Sequence, residues 1–297
     1  MASFRKASVR QAGIQQTSMN NTAAVTLVLV TCLASAAFAE SKKEYRFTVG
    51  PNAIISVDTQ YGAISVKSGS GDQVIVTATL KSDSVEVDQQ QSGSRIEIAS
   101  HLLQGANEQT GRVDYEVLIP PDATLNLHSS IGPLSVEQLH GDLTLEGTDA
   151  VVNISNVENC HVVVRTMRGP ITLAGVRNGH VEIATISGDI HLKSVTGPLV
   201  LASSGRGKIF YDGDFGAGGD YKFTTHTGDI EALAPADVSA EFRVHSVLGR
   251  VHTDFPLLPH HSRYSMKAGS SFVGTAGKAE SAVVLRSFSG RIRLKQR

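Results

Sequence analysis

The residues that invite chemistry here are histidines and aspartates held at fixed distances from a recurring glycine. His161 and His180 are 19 residues apart, each eight before a glycine. If the chain repeats at that interval, the two imidazoles stack on neighbouring turns and are close enough to share a cation. A structural zinc wants four protein ligands and a catalytic one three, so two histidines alone are expected to be solvent-facing ladder residues. His128 and His245 share another repeat position but lie far apart along the array. His260 and His261 are adjacent, and on an extended chain they point opposite ways.

Asp189 and Asp229 each follow a glycine. A glycosidase needs two carboxylates about 5–9.5 Å apart, and these would stand two turns apart, near the upper limit. Lys208 occupies the same slot between them, and aspartate is common in turns because its side chain bonds nearby backbone. Cys160 sits at the corner before the His161 strand, and a reactive thiol would need a positive neighbourhood. There is no G-x-S-x-G elbow, ordered Ser/His/Asp set, Walker pattern or Rossmann pattern. The glycine-rich stretch 213–219 (GDFGAGG) opens no helix and reads as a flexible loop. The expectation is a non-enzyme with no catalytic, cofactor-binding or metal residues. Arg286, Arg291, Arg293, Lys295 and Arg297 make a basic C-terminal end, which reads as ordinary surface charge, with contact to anionic lipid or polysaccharide as the alternative.

The elements that must position these residues follow from the repeat. Aligned on glycine, the register falls at Gly62, Gly132, Gly169, Gly188, Gly207, Gly228, Gly249 and Gly290, with Ala150 filling one slot. From 132 onward the steps are 18, 19, 19, 19, 21, 21 and 41 residues. The last step spans about two periods, which predicts a degenerate copy near residues 262–282. Apolar residues recur seven and five before the glycine (Val181 and Ile183 before Gly188) and two and four after it (Ile190 and Leu192). A further one falls seven after, as Leu139, Val157, Val176 and Val195. The copy at Gly207 reads as slipped by one residue on its first strand.

Spacing by two marks half-buried strands, and the glycine marks a turn needing positive φ or close backbone approach. A period near 19 is short for a propeller blade and suits one coil of a β-solenoid, with two main strands and a shorter third. Stacked coils build a narrow continuous core, which fits a chain with no Trp and 5% aromatics. A β-sandwich of repeated hairpins is the competing arrangement.

The predicted fold is therefore all-β: a single-stranded β-solenoid with about 19-residue coils and an irregular N-terminal β cap. Residues 40–119 read as that cap and 120–297 as the array, the two forming one continuous adhesin-like domain over 40–297. The cap blocks the exposed edge of the first coil, and outward arginines on the last strand, 291–294, protect the other edge.

Residues 1–39 read as a signal peptide. Arg5, Lys6 and Arg10 precede a 17-residue apolar stretch ending in Ala37-Phe38-Ala39, a small-residue cleavage pattern. Removing 39 residues from 297 leaves 258, with 24 basic and 28 acidic residues. Balanced charge argues against nucleic acid as a partner, and no later apolar run is long enough to span a bilayer. Cys32 resembles a lipoprotein acylation site, but Thr31 replaces the small residue expected before it, which disfavours lipid anchoring. The product is expected in the periplasm, at the cell surface or outside the cell.

The stretches 45–66 (YRFTVGPNAIISVDTQYGAISV), 113–136 (VDYEVLIPPDATLNLHSSIGPLSV), the T-x-S-G-D-I-type repeats and the closing 284–294 (VLRSFSGRIRL) resemble the DUF4097 family of adhesin-type β-repeat proteins of bacterial envelopes. The resemblance covers nearly all of the chain after residue 39 and brings no catalytic site with it. It implies envelope or surface binding, or a structural role. Flat Ser/Thr/charged faces suit extended polymers such as glycans. The alternatives are a polysaccharide-active β-helix enzyme and an envelope-stress regulatory component.

Overall fold

The computed structural model describes residues 40–259 and 270–297, and every regular element among them is a strand. The described residues cluster as one compact unit. The expected cleavage after Ala39, the Cys32 site and the His260-His261 pair lie outside the described residues.

Two sheets, of 12 and 13 strands, face one another. Each coil contributes one strand to each sheet, joined at the register residue. In chain order along the middle of the stack these are the Gly132 coil (Thr124–Ile131, Leu134–Glu137), the Ala150 coil (Leu143–Asp149, Val152–Glu158) and the Gly169 coil (His161–Arg168, Ile171–Arg177). The Gly188 coil (His180–Ser187, Ile190–Val195), the Gly207 coil (Leu199–Ser204, Ile209–Asp212) and the Gly228 coil (Asp220–Thr225, Ile230–Ala234) follow. Neighbouring coils pair in parallel and in exact repeat register: Val162 opposes Val181, and Ile171 opposes Ile190. This is the solenoid that the period predicted.

The period-two pattern sets the layers. Val181, Ile183, Ile190 and Leu192 are all within 2% of complete burial, as are their equivalents in neighbouring coils. Fully burying each such side chain contributes about 1.5–3 kcal/mol. The position seven after the register residue is also buried, but it does not begin a separate third strand. Asn156, Gly175 and Ser194, at φ 54°, 67° and 52°, bend the second strand so that Val157, Val176 and Val195 turn inward. Asparagine and glycine tolerate that left-handed conformation.

The Gly207 coil does not slip. Val200 opposes Val181 and Ala202 opposes Ile183, both buried, while Leu199 and Leu201 project outward. Ala202 is small because the next coil places Phe223 beside it; the ring fills the volume that a larger aliphatic residue would take. Aromatics concentrate in this half of the core. Phe215, from the 213–219 loop, is buried, stacks on Tyr211 at 4.6 Å and meets Tyr221 edge-on at 5.0 Å. That loop is thus a core plug rather than a flexible excursion.

At both ends the order of coils in space departs from their order in the chain. The Gly62 coil (Ile54–Tyr61, Ile64–Ser68) lies between the Gly132 coil and a coil made of Arg95–Leu102 and Val113–Ile119. Beyond the latter, Gln73–Leu80, Val85–Ser92 and Ser41–Thr48 pair antiparallel and close the end.

At the opposite end, the Gly290 coil (Ser281–Ser287, Ile292–Gln296) lies between the Gly228 coil and the Gly249 coil (Ala240–Ser246, Val251–Thr253). The 41-residue step therefore holds no degenerate coil among its described residues. Ser271–Ala276 instead pairs antiparallel with Ala240–Ser246. Residues 291–294 do not guard an edge either, because the outermost strand of that sheet is the three-residue Val251–Thr253. A short edge strand limits further pairing.

Candidate functional site

The corner at which each coil crosses between sheets is the most regular surface of the molecule, and its regularity is built from two columns. Each register glycine lies against the backbone carbonyl of the equivalent residue one coil away, usually another glycine but Val113 for Gly62 and Ala150 for Gly169. A Cβ added at Gly207, Gly228 or Gly290 would sit 1.9, 1.7 and 1.7 Å from the neighbouring carbonyl oxygen. No side chain fits at that distance, which explains the glycine independently of its φ.

Three residues before each register position runs a buried hydroxyl column: Thr59, Ser129, Thr166, Thr185, Ser204, Thr225, Ser246 and Ser287. Ser287 Oγ donates to Gly228 O at 3.0 Å and accepts from Gly290 N–H at 2.8 Å. Thr225 and Ser246 do the same in their coils. These three hydroxyls therefore satisfy corner groups that would otherwise be buried unpaired.

Ala150 breaks the glycine column and is matched in the hydroxyl column. The equivalent hydroxyl position is Gly147, whose own Cβ would lie 2.4 Å from that of Ala150. One methyl group has moved from one column to the other. The next two hydroxyls, Thr166 Oγ1 and Thr185 Oγ1, have no hydrogen-bond partner. Sequence reading missed the hydroxyl column although its signal, a Ser or Thr three before each glycine, is present in every copy except this one.

The singled-out residues fall around this frame. His161 and His180 do meet, with ring centroids 4.2 Å apart and edge-on. They line a shallow depression with Asp142, Asn159, Asn178 and Pro198. Asp142 Oδ1 accepts the His161 backbone N–H at 2.9 Å, and Asn178 donates to Asn159 at 2.7 Å. Among the described residues no three His, Cys, Asp or Glu side chains group as a metal site. Cys160 is buried, and burial, with Asp142 adding, pushes its thiol up to about 11, so it stays protonated and unreactive at neutral pH. His128 contacts Asp58 at 3.0 Å, one coil away, and His245 is exposed on its strand.

Asp189 and Asp229 occupy equivalent places just past the corner. Asp189 Oδ1 accepts the Lys208 backbone N–H at 2.8 Å, and Asp229 Oδ1 accepts that of Arg291 at 2.8 Å. Asp114 does the same for Ala63 N–H, at 2.8 Å. These carboxylates clamp one coil to the next. Asp229 also holds the Arg291 guanidinium at 3.0 Å.

The basic C-terminal end is largely spent inside the stack. Arg293 and Lys295 reach Glu231 at 3.2 and 2.9 Å, and Arg297 reaches Asp212 at 3.3 Å. Glu231 is held below the usual carboxylate range. The Lys295 hydrogen bond is the main cause; burial opposes it and Arg293 adds to it.

The stacked coils, corner glycines and terminal strands together fit one known family model, which matches residues 53–295. The chain belongs to the Toastrack DUF4097 family. Solved structures resemble this Toastrack chain at low identity. A candidate adhesin of Bacteroides fragilis shares 11% identity over 86% of this chain and 98% of its own, with a TM-score of 0.49. A candidate adhesin of Parabacteroides distasonis shares 11% over 88% and 98%, with a TM-score of 0.32. A candidate cell adhesion protein of Clostridium sporogenes shares 12% over 86% and 100%, with a TM-score of 0.31. No functionally curated protein matches the sequence.

Proposed function

We propose that this Toastrack chain is an exported, non-catalytic element of the bacterial envelope that binds or spaces a surface partner along its repeated faces. The observation that carries this reading is the use made of Asp189 and Asp229. The two carboxylates best placed by sequence for glycoside chemistry accept backbone N–H groups from the next coil, so they act as inter-coil clamps. The leader-like N-terminus supports export. The outward faces repeat at the strand spacing of about 4.8 Å, which suits an extended polymer, such as a glycan, more than a compact ligand.

The test is to incubate residues 40–297 with purified bacterial envelope fragments and a panel of envelope polysaccharides. Saturable retention without release of new reducing ends is expected, in the wild type and in Asp189→Asn alike. Failure of retention, or release of reducing ends that Asp189→Asn abolishes, would overturn the reading.

A further inference from the structure

The corner edge is not uniform along its length. In the Gly62, Gly132, Ala150 and Gly169 coils its charged side chains are matched across coils. Asp58 meets His128, Glu146 meets Arg165 at 3.7 Å, and Asp149 is bound by the Arg168 guanidinium. From the Gly188 coil to the Gly249 coil the same edge changes character. Arg206, Lys208 and Arg250 are exposed there and make no side-chain ion pair among the described residues, and Arg286 flanks them in the same state. The opposing carboxylates are Asp189, which takes a backbone N–H, and Asp229, which is paired with Arg291.

Large apolar side chains interleave with these cations. Leu248 is 70% exposed and Ile186 60%. Val247 and Phe288 are also exposed, and Phe288 stacks flat on His226 at 4.7 Å. They hold the position one or two before the register residue in their coils, so they share one column of corners with the cations. Five coils at about 4.8 Å spacing give a contact line of roughly 19 Å.

We infer that this edge docks on an anionic lipid bilayer. Cations alone would suit any polyanion, and apolar side chains alone any greasy surface. Their alternation on one line is what an interface of anionic headgroups over acyl chains recognises. The inference deepens the envelope reading proposed above and rests on it: the edge would set the stack on the membrane, leaving both sheet faces free for the surface partner.

The test is flotation of residues 40–297 with phosphatidylcholine vesicles, with or without phosphatidylglycerol. Co-flotation is expected only with the anionic vesicles, and it should fall as salt rises. Each cation neutralised should weaken binding about fivefold, so Arg206→Gln with Arg250→Gln should lose about 25-fold. Ile186→Ser with Leu248→Ser should also release the protein, at unchanged thermal stability because both side chains are exposed. A soluble polyanion, dextran sulfate, serves as the competing ligand. No binding to anionic vesicles would overturn the inference. So would binding that survives the Ile186/Leu248 substitutions and is matched by dextran sulfate, which would indicate a general polyanion site. Retention on envelope fragments without vesicle binding would sink this inference alone and leave the envelope reading standing.

Discussion

The two ends of the stack solve one problem by different means. At each end, a coil close to a chain terminus lies one place in from the end of the array, flanked by coils on both sides. The Gly62 coil is tied to both flanks by short-range hydrogen bonds. Ser100 Oγ donates to Thr59 Oγ1 at 2.7 Å on one side, and Ser129 Oγ donates to Gly62 O at 3.2 Å on the other. Its one Lys–carboxylate pair, Lys67 with Glu137, is more than a third exposed on each partner. Such exposed pairs contribute little.

The Gly290 coil and the residue after it instead engage four cations inward: Arg291, Arg293 and Lys295 meet Asp229 and Glu231 of the inner flank, and Arg297 reaches past it to Asp212 of the Gly207 coil, while Arg286 stays unpaired among the described residues. Among the described residues no ion pair joins it to the outer Gly249 coil. Burial is non-directional, whereas charges on alternate residues select a register. The coil that enters last in chain order is thus the one whose register is marked by charge.

The comparison can be broken first at the shared element, the glycine column. Gly290→Ala places a Cβ 1.7 Å from Gly228 O, and Gly62→Ala places one 1.9 Å from Val113 O. Both should lose about 3 kcal/mol or more in urea melts, or fail to fold. If either end tolerates its alanine, the column is not what fixes coil spacing there.

A sharper version uses the exception. Gly147→Ser alone should cost about 1–3 kcal/mol through the clash with Ala150. Gly147→Ser with Ala150→Gly rebuilds the regular columns and should return to within about 0.5 kcal/mol of the starting stability. Additive losses in that double-mutant cycle would refute the coupling.

Next come the charges that separate the ends. Asp229→Asn with Glu231→Gln should cost about 1 kcal/mol at low salt and almost nothing at 1 M salt, where screening is short-ranged. Glu137→Gln at the other end should cost a few tenths of a kcal/mol. The smallest effect is in pH. Because the folded Glu231 carboxyl lies below its ordinary value, its contribution is complete above the unfolded value and is lost as pH falls through the folded one. Glu231→Gln should remove that part of the acid-induced loss, visible as a shallower decline in melting temperature with falling pH.

Much of this was legible in the sequence. Period-two pairs such as Val181/Ile183 reveal strands, and their 19-residue recurrence reveals the coil. What the sequence hides is order in space. The 41-residue step from Gly249 to Gly290 reads as two periods, but a repeat carries no label for its neighbour, so the Gly290 coil fits equally well beside Gly228. The Gly207 strand misleads for a related reason: Leu199 and Leu201 are the larger apolar residues, yet Phe223 already fills the core beside Ala202. The histidine, aspartate and arginine candidates are each visible as residue types. Their employment as inter-coil contacts depends on which coil is next, which composition cannot state.

Hydrogen exchange tests the order of coils most directly. With the Gly290 coil inside the stack, amides of Ile292–Gln296 should exchange as slowly as those of Ile230–Ala234 and more slowly than those of Val251–Thr253. Exchange of 281–296 faster than that of the Gly249 coil would place the chain's last coil at the free end and contradict the structure described here.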